Sequence, residues 1–183
     1  NPHKFLQHAT SFFYYDLFAW INRNQPICFA SVVRETHESE LSNGNQSKVS
    51  LSVGYSNGFG KNLQTKVQAE PGDALQWNGN NLITVDTTPN LRWAGNGRTI
   101  FNNKGNPVKQ YEPFFSSTFE YENEAALVEI GFSSVLYYDA LNRNIRVEHA
   151  NGTGAKTEGD AWKQLMFDEN DTVLESTWYS DRG

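Results

Sequence analysis

The sequence predicts a mainly β protein, an antiparallel β-hairpin meander with at most one short helix. Three observations carry this. The 183-residue chain is 38% hydrophobic and 14% aromatic, with 14 glycines and many asparagines. Rings and turn formers at the expense of aliphatics suit short strands and tight corners better than helices. A short polar corner recurs along the chain, and between its copies lie Asn43-Gly44, Asn78-Gly79, Gly95-Asn96-Gly97 and Asn151-Gly152. Asn-Gly is the strongest short-range hairpin signal, because a type I′ turn needs positive φ at both central residues.

The corner has a grammar. An aromatic or small strand end is followed by Asp or Asn, whose side chain can hydrogen-bond the backbone two residues on. Two variable residues follow, then usually Gly, Asn or Asp. Tyr138-Asp139-Ala140-Leu141-Asn142-Arg143 is the fullest form, since Asn142 is among the few non-glycine residues that tolerate φ > 0. Ser56-Asn57-Gly58-Phe59-Gly60 and Phe101-Asn102-Asn103-Lys104-Gly105 follow it closely. Phe167-Asp168-Glu169-Asn170-Asp171 ends on an aspartate, and Tyr15-Asp16-Leu17-Phe18-Ala19 is the weakest because Ala19 breaks the last position. The corners begin at residues 15, 56, 101, 138 and 167, at intervals of 41, 45, 37 and 29. A drifting period points to stacked hairpins of unequal length rather than a strict solenoid. A single β domain over 1–183 is expected, an excerpt of a longer chain because it opens on Asn-Pro.

In chain order, residues 1–10 read as a polar entry strand or frayed end. Phe12 to Trp20 reads as an aromatic strand entering the first corner, and Ile27 to Arg34 as a clear strand. Val49, Leu51, Val53 and Tyr55 share one face; the chain then turns at Asn57-Gly58 and returns through Leu63, Thr65 and Val67. Glu70 to Asp73 is a tight turn, and Ala74 to Pro89 an irregular polar insert around Trp77. Leu91 to Trp93 and Thr99 to Phe101 bracket the Gly95–Gly97 bend. Pro107 and Pro113 flank a strand through Val108 and Tyr111, which suits an edge or a strand start. Glu122 to Ile130 is the one credible helix, with an acidic start that complements the helix dipole and Gly131 to close it. Ser133 to His149 carries the Tyr138 corner, and Lys156 to Phe167 runs back from Asn151-Gly152. Thr172 to Tyr179 is a last strand, followed by a further corner at Asp181-Arg182-Gly183.

The YD-x-x-G-R grammar resembles the YD (RHS) repeat, and four longer stretches narrow the match. They are Arg34 to Leu41, Tyr55 to Lys61 with Gln68 to Gly72, Gly97 to Phe115, and Trp162 through Asp168 to Ser176. From about residue 9 onward the chain resembles part of the RHS-bearing B component of bacterial insecticidal toxin complexes, or a B–C fusion. The resemblance implies a strip of a β-shell that closes as a cocoon around a C-terminal effector, delivered through a pore-forming A component. It implies a secreted, extracellular setting. Its partners would be neighbouring shell segments, toxin-complex subunits and the enclosed effector polypeptide. The repeat-turn residues would be structural: Tyr15, Asp16, Ser56, Asn57, Gly60, Phe101, Asn102, Gly105, Tyr138, Asp139, Asn142, Arg143, Phe167, Asp168 and Asp171. The aspartate-bearing self-cleavage motif of the C component is not found in the sequence.

The remaining features argue for enclosure over reaction. A net charge of −6 disfavours a nucleic-acid partner. No apolar run reaches the length of a membrane span, Phe12 to Trp20 being short and broken by Asp16. The single Cys28 excludes an internal disulfide and has no basic neighbour to activate it. His3 and His8 lack a third ligand. His37, flanked by Glu35 and Glu40, reads as a strand residue rather than an acid–base centre. Asp168-Glu169-Asn170-Asp171 offers hard oxygens for Ca²⁺ but lacks the alternating spacing of a calcium loop. No helix pattern or Gly-Lys-Ser/Thr follows Gly95-Asn96-Gly97, so it is no phosphate loop. No catalytic residue, cofactor or metal is expected, and the chain reads as not an enzyme. Two other classes are weighed: a glycan-binding module using the tryptophans at 20, 77, 93, 162 and 178, and a small hydrolase built on carboxylates or His37. Exposed strip edges would also allow edge-to-edge pairing between copies.

Overall fold

The computed structural model describes residues 2–42, 44–131 and 133–182. Asn43 of the Asn43-Gly44 signal, Asn1 of the entry segment and Gly183 of the last corner lie outside them. The chain is mainly β, with strands β1 (Ser11–Asp16), β2 (Ile27–Arg34), β3 (Val49–Ser56), β4 (Asn62–Ala69), β5 (Asp73–Trp77), β6 (Leu82–Asp86), β7 (Arg92–Gly95), β8 (Thr99–Phe101), β9 (Pro107–Gln110), β10 (Phe114–Ser116), β11 (Val135–Tyr138), β12 (Asn144–Glu148), β13 (Gly154–Gly159) and β14 (Gln164–Phe167). The strands divide between two compact units, residues 1–97 with 113–129 and residues 98–112 with 130–183.

The first unit holds an eight-stranded sheet in the order β1-β2-β3-β4-β7-β10-β5-β6. β2 pairs with β3 from Ile27↔Ser56 to Arg34↔Val49, and β3 pairs with β4. One face carries the core of Val53, Tyr55 and Trp93, packed by Cys28, Ala30, Leu51 and Tyr121. On the other face the Phe29 ring lies over Gly54, its direct cross-strand partner, in the space a Cβ would need. The sheet departs from a simple meander at β10. This strand pairs antiparallel with β7 but parallel with β5, at Ser116↔Leu75.

Among the described residues four single-turn α-helices form where at most one was expected. α1 (His3–Leu6) stands where an entry strand or frayed end was expected: Pro2, already helical, opens it, and the turn buries Leu6. α2 (Ala19–Arg23) ends on Asn24 in the left-handed region. α3 (Ala125–Val128) is one turn of the expected helix and buries Leu127 and Val128. α4 (Thr177–Ser180) and a 3₁₀ turn at Val173–Glu175 take the place of the expected last strand. Here the Ser176 hydroxyl accepts from the Tyr179 N–H, a cap that competes with a ladder. The expected irregular insert is also corrected. β5 and β6 form a regular hairpin from Asp73↔Asp86 to Trp77↔Leu82, turning at Asn78 with Gly79 at φ 97°.

The second unit is a six-stranded sheet in the order β14-β13-β12-β11-β9-β8. Its strands are antiparallel throughout. The expected single run from Lys156 to Phe167 is two strands, turned by Asp160, whose Oδ1 accepts from Trp162 N (2.8 Å) and Lys163 N (3.1 Å). Among the described residues of this unit no hydrophobic side chain is fully buried; its buried residues are Thr172 and Ser176. They belong to the final segment, which is tied to the sheet by Thr172 Oγ1 donating to Gly154 O (2.5 Å) and by Lys156 Nζ donating to both Glu175 oxygens (2.8 and 3.0 Å).

Candidate functional site: a repeated hairpin corner

The corners at Asn57, Asn102 and Asp139 have one geometry. Each first residue donates its N–H to the carbonyl four residues on, at 3.0, 2.9 and 3.0 Å. Each accepts at its own carbonyl from the residue three on, Gly60, Gly105 and Asn142, at 3.0, 2.9 and 3.1 Å. Those third residues have φ of 73°, 83° and 65°. This is a three-residue loop, a type I turn followed by a left-handed residue, so the positive φ falls there and not on an Asn-Gly pair. Side-chain chemistry locks it. Asn57 Oδ1 accepts from Phe59 N (3.0 Å) and Lys61 N (2.9 Å). Asn102 Oδ1 accepts from Lys104 N (2.9 Å) and Asn106 N (3.0 Å), and Asp139 Oδ1 from Leu141 N (2.8 Å) and Arg143 N (2.9 Å).

The strands leaving the corner carry the same irregularity in all three. Ser56↔Asn62 is followed by Tyr55↔Gln64, Phe101↔Pro107 by Ile100↔Lys109, and Tyr138↔Asn144 by Tyr137↔Arg146. One residue is skipped each time, Leu63, Val108 and Ile145, and such a bulge increases local twist. Successive corners of the second unit are bonded to each other. Lys104 Nζ donates to Ala140 O (2.5 Å), Asn106 Nδ2 to Asn142 Oδ1 (3.0 Å), and the Tyr138 hydroxyl to Pro107 O (2.8 Å). Bonds from Arg143, its backbone N–H first and its guanidinium second (Nε to Oδ2, 2.7 Å), hold the Asp139 carboxyl below the usual carboxylate range.

The other two expected corners differ. At Asp16 the chain enters α2 after Phe18 N donates to Oδ1 (3.2 Å) and Arg23 Nη2 to Oδ2 (2.6 Å). Asp168 accepts from Asn170 N (2.8 Å) and Asp171 N (3.1 Å), while Asp171 Oδ2 accepts from Asp168 N (3.2 Å), and the chain leads into the 3₁₀ turn. Tyr15 and Phe167 are strand residues beside them. A further copy begins at His149, where the sequence reading placed an Asn-Gly hairpin turn rather than this corner: its N–H donates to Thr153 O (2.8 Å) and its carbonyl accepts from Gly152 (2.9 Å), which has φ 85°. Asn151 supplies the side-chain oxygen here, and the signal was the Asn151-Gly152 pair.

Lys66 is a feature that sequence reading missed. It is completely buried, with Nζ bonded to the Glu122 carboxylate, Thr118 O (2.9 Å) and Ser116 Oγ (3.3 Å). Burial pulls its pKa down, and the bond to Glu122 opposes this. Gln64, buried beside it on β4, accepts from Glu122 N (3.0 Å), and Tyr55 donates to Phe119 O (2.7 Å). These bonds clamp segment 118–122 on the core face. The alternation of β4 gave no warning, since its polar positions face inward and Val67 faces out.

Among the described residues no three His, Cys, Asp or Glu side chains gather as a metal-ligand set. Cys28 lines a cleft of about 560 Å³ with Tyr14, Asp16, Tyr55 and Tyr121. Burial and the Asp16 charge push its thiol pKa up, away from a reactive thiolate. No described helix is long and apolar enough to cross a membrane.

No protein-family model matches the chain, and no curated protein matches it. Solved structures do. Over 91% of its length the chain matches 8% of a chain in the crystal structure of TcdB2-TccC3, at 26% identity and a TM-score of 0.73. This fold is toxin-complex-related. The toxin-complex likeness extends to TcdB2-TccC3 without its hypervariable C-terminal region (26% identity, TM-score 0.66, 85% of this chain and 7% of that one). It extends also to a Photorhabdus luminescens Tc holotoxin pore (28% identity, TM-score 0.67, 82% and 7%). The chain thus spans under a tenth of the length of these toxin-complex chains.

Proposed function

We propose that residues 1–183 are a wall segment of an RHS/YD-repeat shell in a secreted toxin-complex protein, a shell that encloses a C-terminal effector and helps deliver it. The match of 91% of the chain to part of TcdB2-TccC3 carries the reading. The repeated corner supports it, because identical hinges joined side by side extend a sheet indefinitely. The thin packing supports it too. The second unit is a single sheet with no fully buried apolar side chain among its described residues, and such a layer calls for further polypeptide to cover it. In this reading the partners are neighbouring shell segments, toxin-complex subunits and the effector, and the segment carries out no reaction of its own. Electron microscopy of the polypeptide expressed with its natural flanking sequence tests it: a hollow particle is expected, and a solid particle without a lumen would overturn it.

One observation favours a second reading, a glycan-binding module. Trp162 is 94% exposed and lines a polar cleft of about 590 Å³ with Asn144, Thr157 and Gln164, an open ring face beside amide and hydroxyl groups. Titration against a glycan panel with Trp162→Ala as control decides it, since a shell segment shows no saturable binding.

A further inference from the structure

We propose that Asn57 and Asn78 are sites of spontaneous deamidation, whereas Asn151, in the same Asn-Gly sequence, is protected by the fold. The reaction begins when the backbone nitrogen of the following glycine, having lost its proton, attacks the side-chain amide carbon of the asparagine. Ammonia leaves, a cyclic imide remains, and addition of one water opens it to aspartate or isoaspartate. Three structural conditions decide where it runs: a free glycine N–H, room for the ring to close, and donors on the amide oxygen as it becomes an oxyanion.

Asn57-Gly58 meets all three. Gly58 N–H has no hydrogen-bond partner among the described residues, and a Cβ placed on Gly58 would meet nothing within 4 Å. Phe59 N and Lys61 N already point at Asn57 Oδ1, at 3.0 and 2.9 Å, where donors stabilise developing negative charge. Asn78-Gly79 is alike, with Asn80 N at 3.0 Å and Asn81 N at 2.8 Å on Oδ1 and open space around Gly79. Asn151-Gly152 fails the first two. Gly152 N–H is donated to His149 O (2.9 Å), and the glycine is crowded by Thr177 Oγ1 and Trp178 N, both 2.9 Å from a built Cβ. Asn96 precedes Gly97, which is buried.

The product matters to the corner. Asp139 holds in its own corner the place Asn57 holds in another, with the same pair of backbone bonds. Conversion of Asn57 to aspartate therefore keeps the hinge and adds a negative charge. Conversion to isoaspartate inserts a methylene into the backbone and breaks it.

The test is peptide mass spectrometry of the intact protein aged in mildly alkaline buffer, beside a sample aged in urea and a Gly58→Ala variant. Folded protein is expected to gain about one mass unit at Asn57 and Asn78 at least tenfold faster than at Asn151, a gap of about 1.4 kcal/mol in barrier. In urea the three rates should converge, and Gly58→Ala, at a position of ordinary φ, should silence Asn57 alone. Equal rates at Asn57 and Asn151 in the folded protein would overturn the proposal, as would an Asn57 that converts in urea but not when folded.

Discussion

Replacing Lys66 with methionine tests what fastens segment 118–122 to the sheet. Methionine keeps the length of the side chain beside the Phe114 ring, but removes the charge and three bonds. Breaking a buried ion pair by deleting one partner costs about 3–5 kcal/mol, mostly from the charge left behind. The Glu122 side chain retains 13% exposure, so it can draw in water, which puts the cost near the lower end, about 3 kcal/mol. For a chain of this size that lowers the melting temperature by roughly 6–12 °C. The double variant Lys66→Met with Glu122→Leu removes both charges and should recover most of the loss, since an apolar replacement of a buried pair is often neutral or better. Urea unfolding followed by circular dichroism reads the stability, and amide exchange across residues 116–122 reports whether the segment lifts. The reasoning fails if the single variant costs less than about 1 kcal/mol or if the double variant is no more stable than the single one.

Three other outcomes are expected. Asp139→Ala should lower the melting temperature, whereas Asp139→Asn should hold near neutral pH, as Asn57 and Asn102 do in their corners. Because its folded pKa is depressed, Asp139 contributes stability above the ordinary carboxylate range and loses it as pH falls through the folded value; the Asn variant should lack that acid limb in a pH series of melts. Gly54→Ala should cost about 1–3 kcal/mol by driving out the Phe29 ring, and Phe29→Ala in the same chain should remove most of that penalty, giving strong coupling in a double-mutant cycle. Amides of β11 to β14 should exchange much faster than those of β2 to β4, because among the described residues only the first unit has a buried apolar cluster; equal protection would contradict the packing argument.

What the sequence disclosed tracks how locally each feature is determined. β2 over Ile27–Arg34 and the β3–β4 hairpin were legible because alternation and a polar corner coincide, and Asn142 was marked as a non-glycine residue that tolerates positive φ. The corner could be read because its bonds span at most four residues. Misreadings arose where tertiary partners decide. Ala74–Pro89 looked irregular because amide residues interrupt its apolar positions, although pairing with β6 and β10 makes β5 a strand. Thr172–Tyr179 has strand-like composition, but hydroxyl bonds to Gly154 and Gly152 and the Lys156–Glu175 pair favour helical turns. Lys66 was invisible as a buried residue because its partners lie some fifty positions away.

The parallel pairing of β10 with β5 also sets an order of events during synthesis. β5 and β6 leave the ribosome well before Phe114–Ser116, the strand that joins them to β7. The nascent hairpin must wait, tethered and undocked, until β10 emerges and zips it into place. Elongation speed across residues 87–113 therefore sets how long that loose end is open to wrong neighbours.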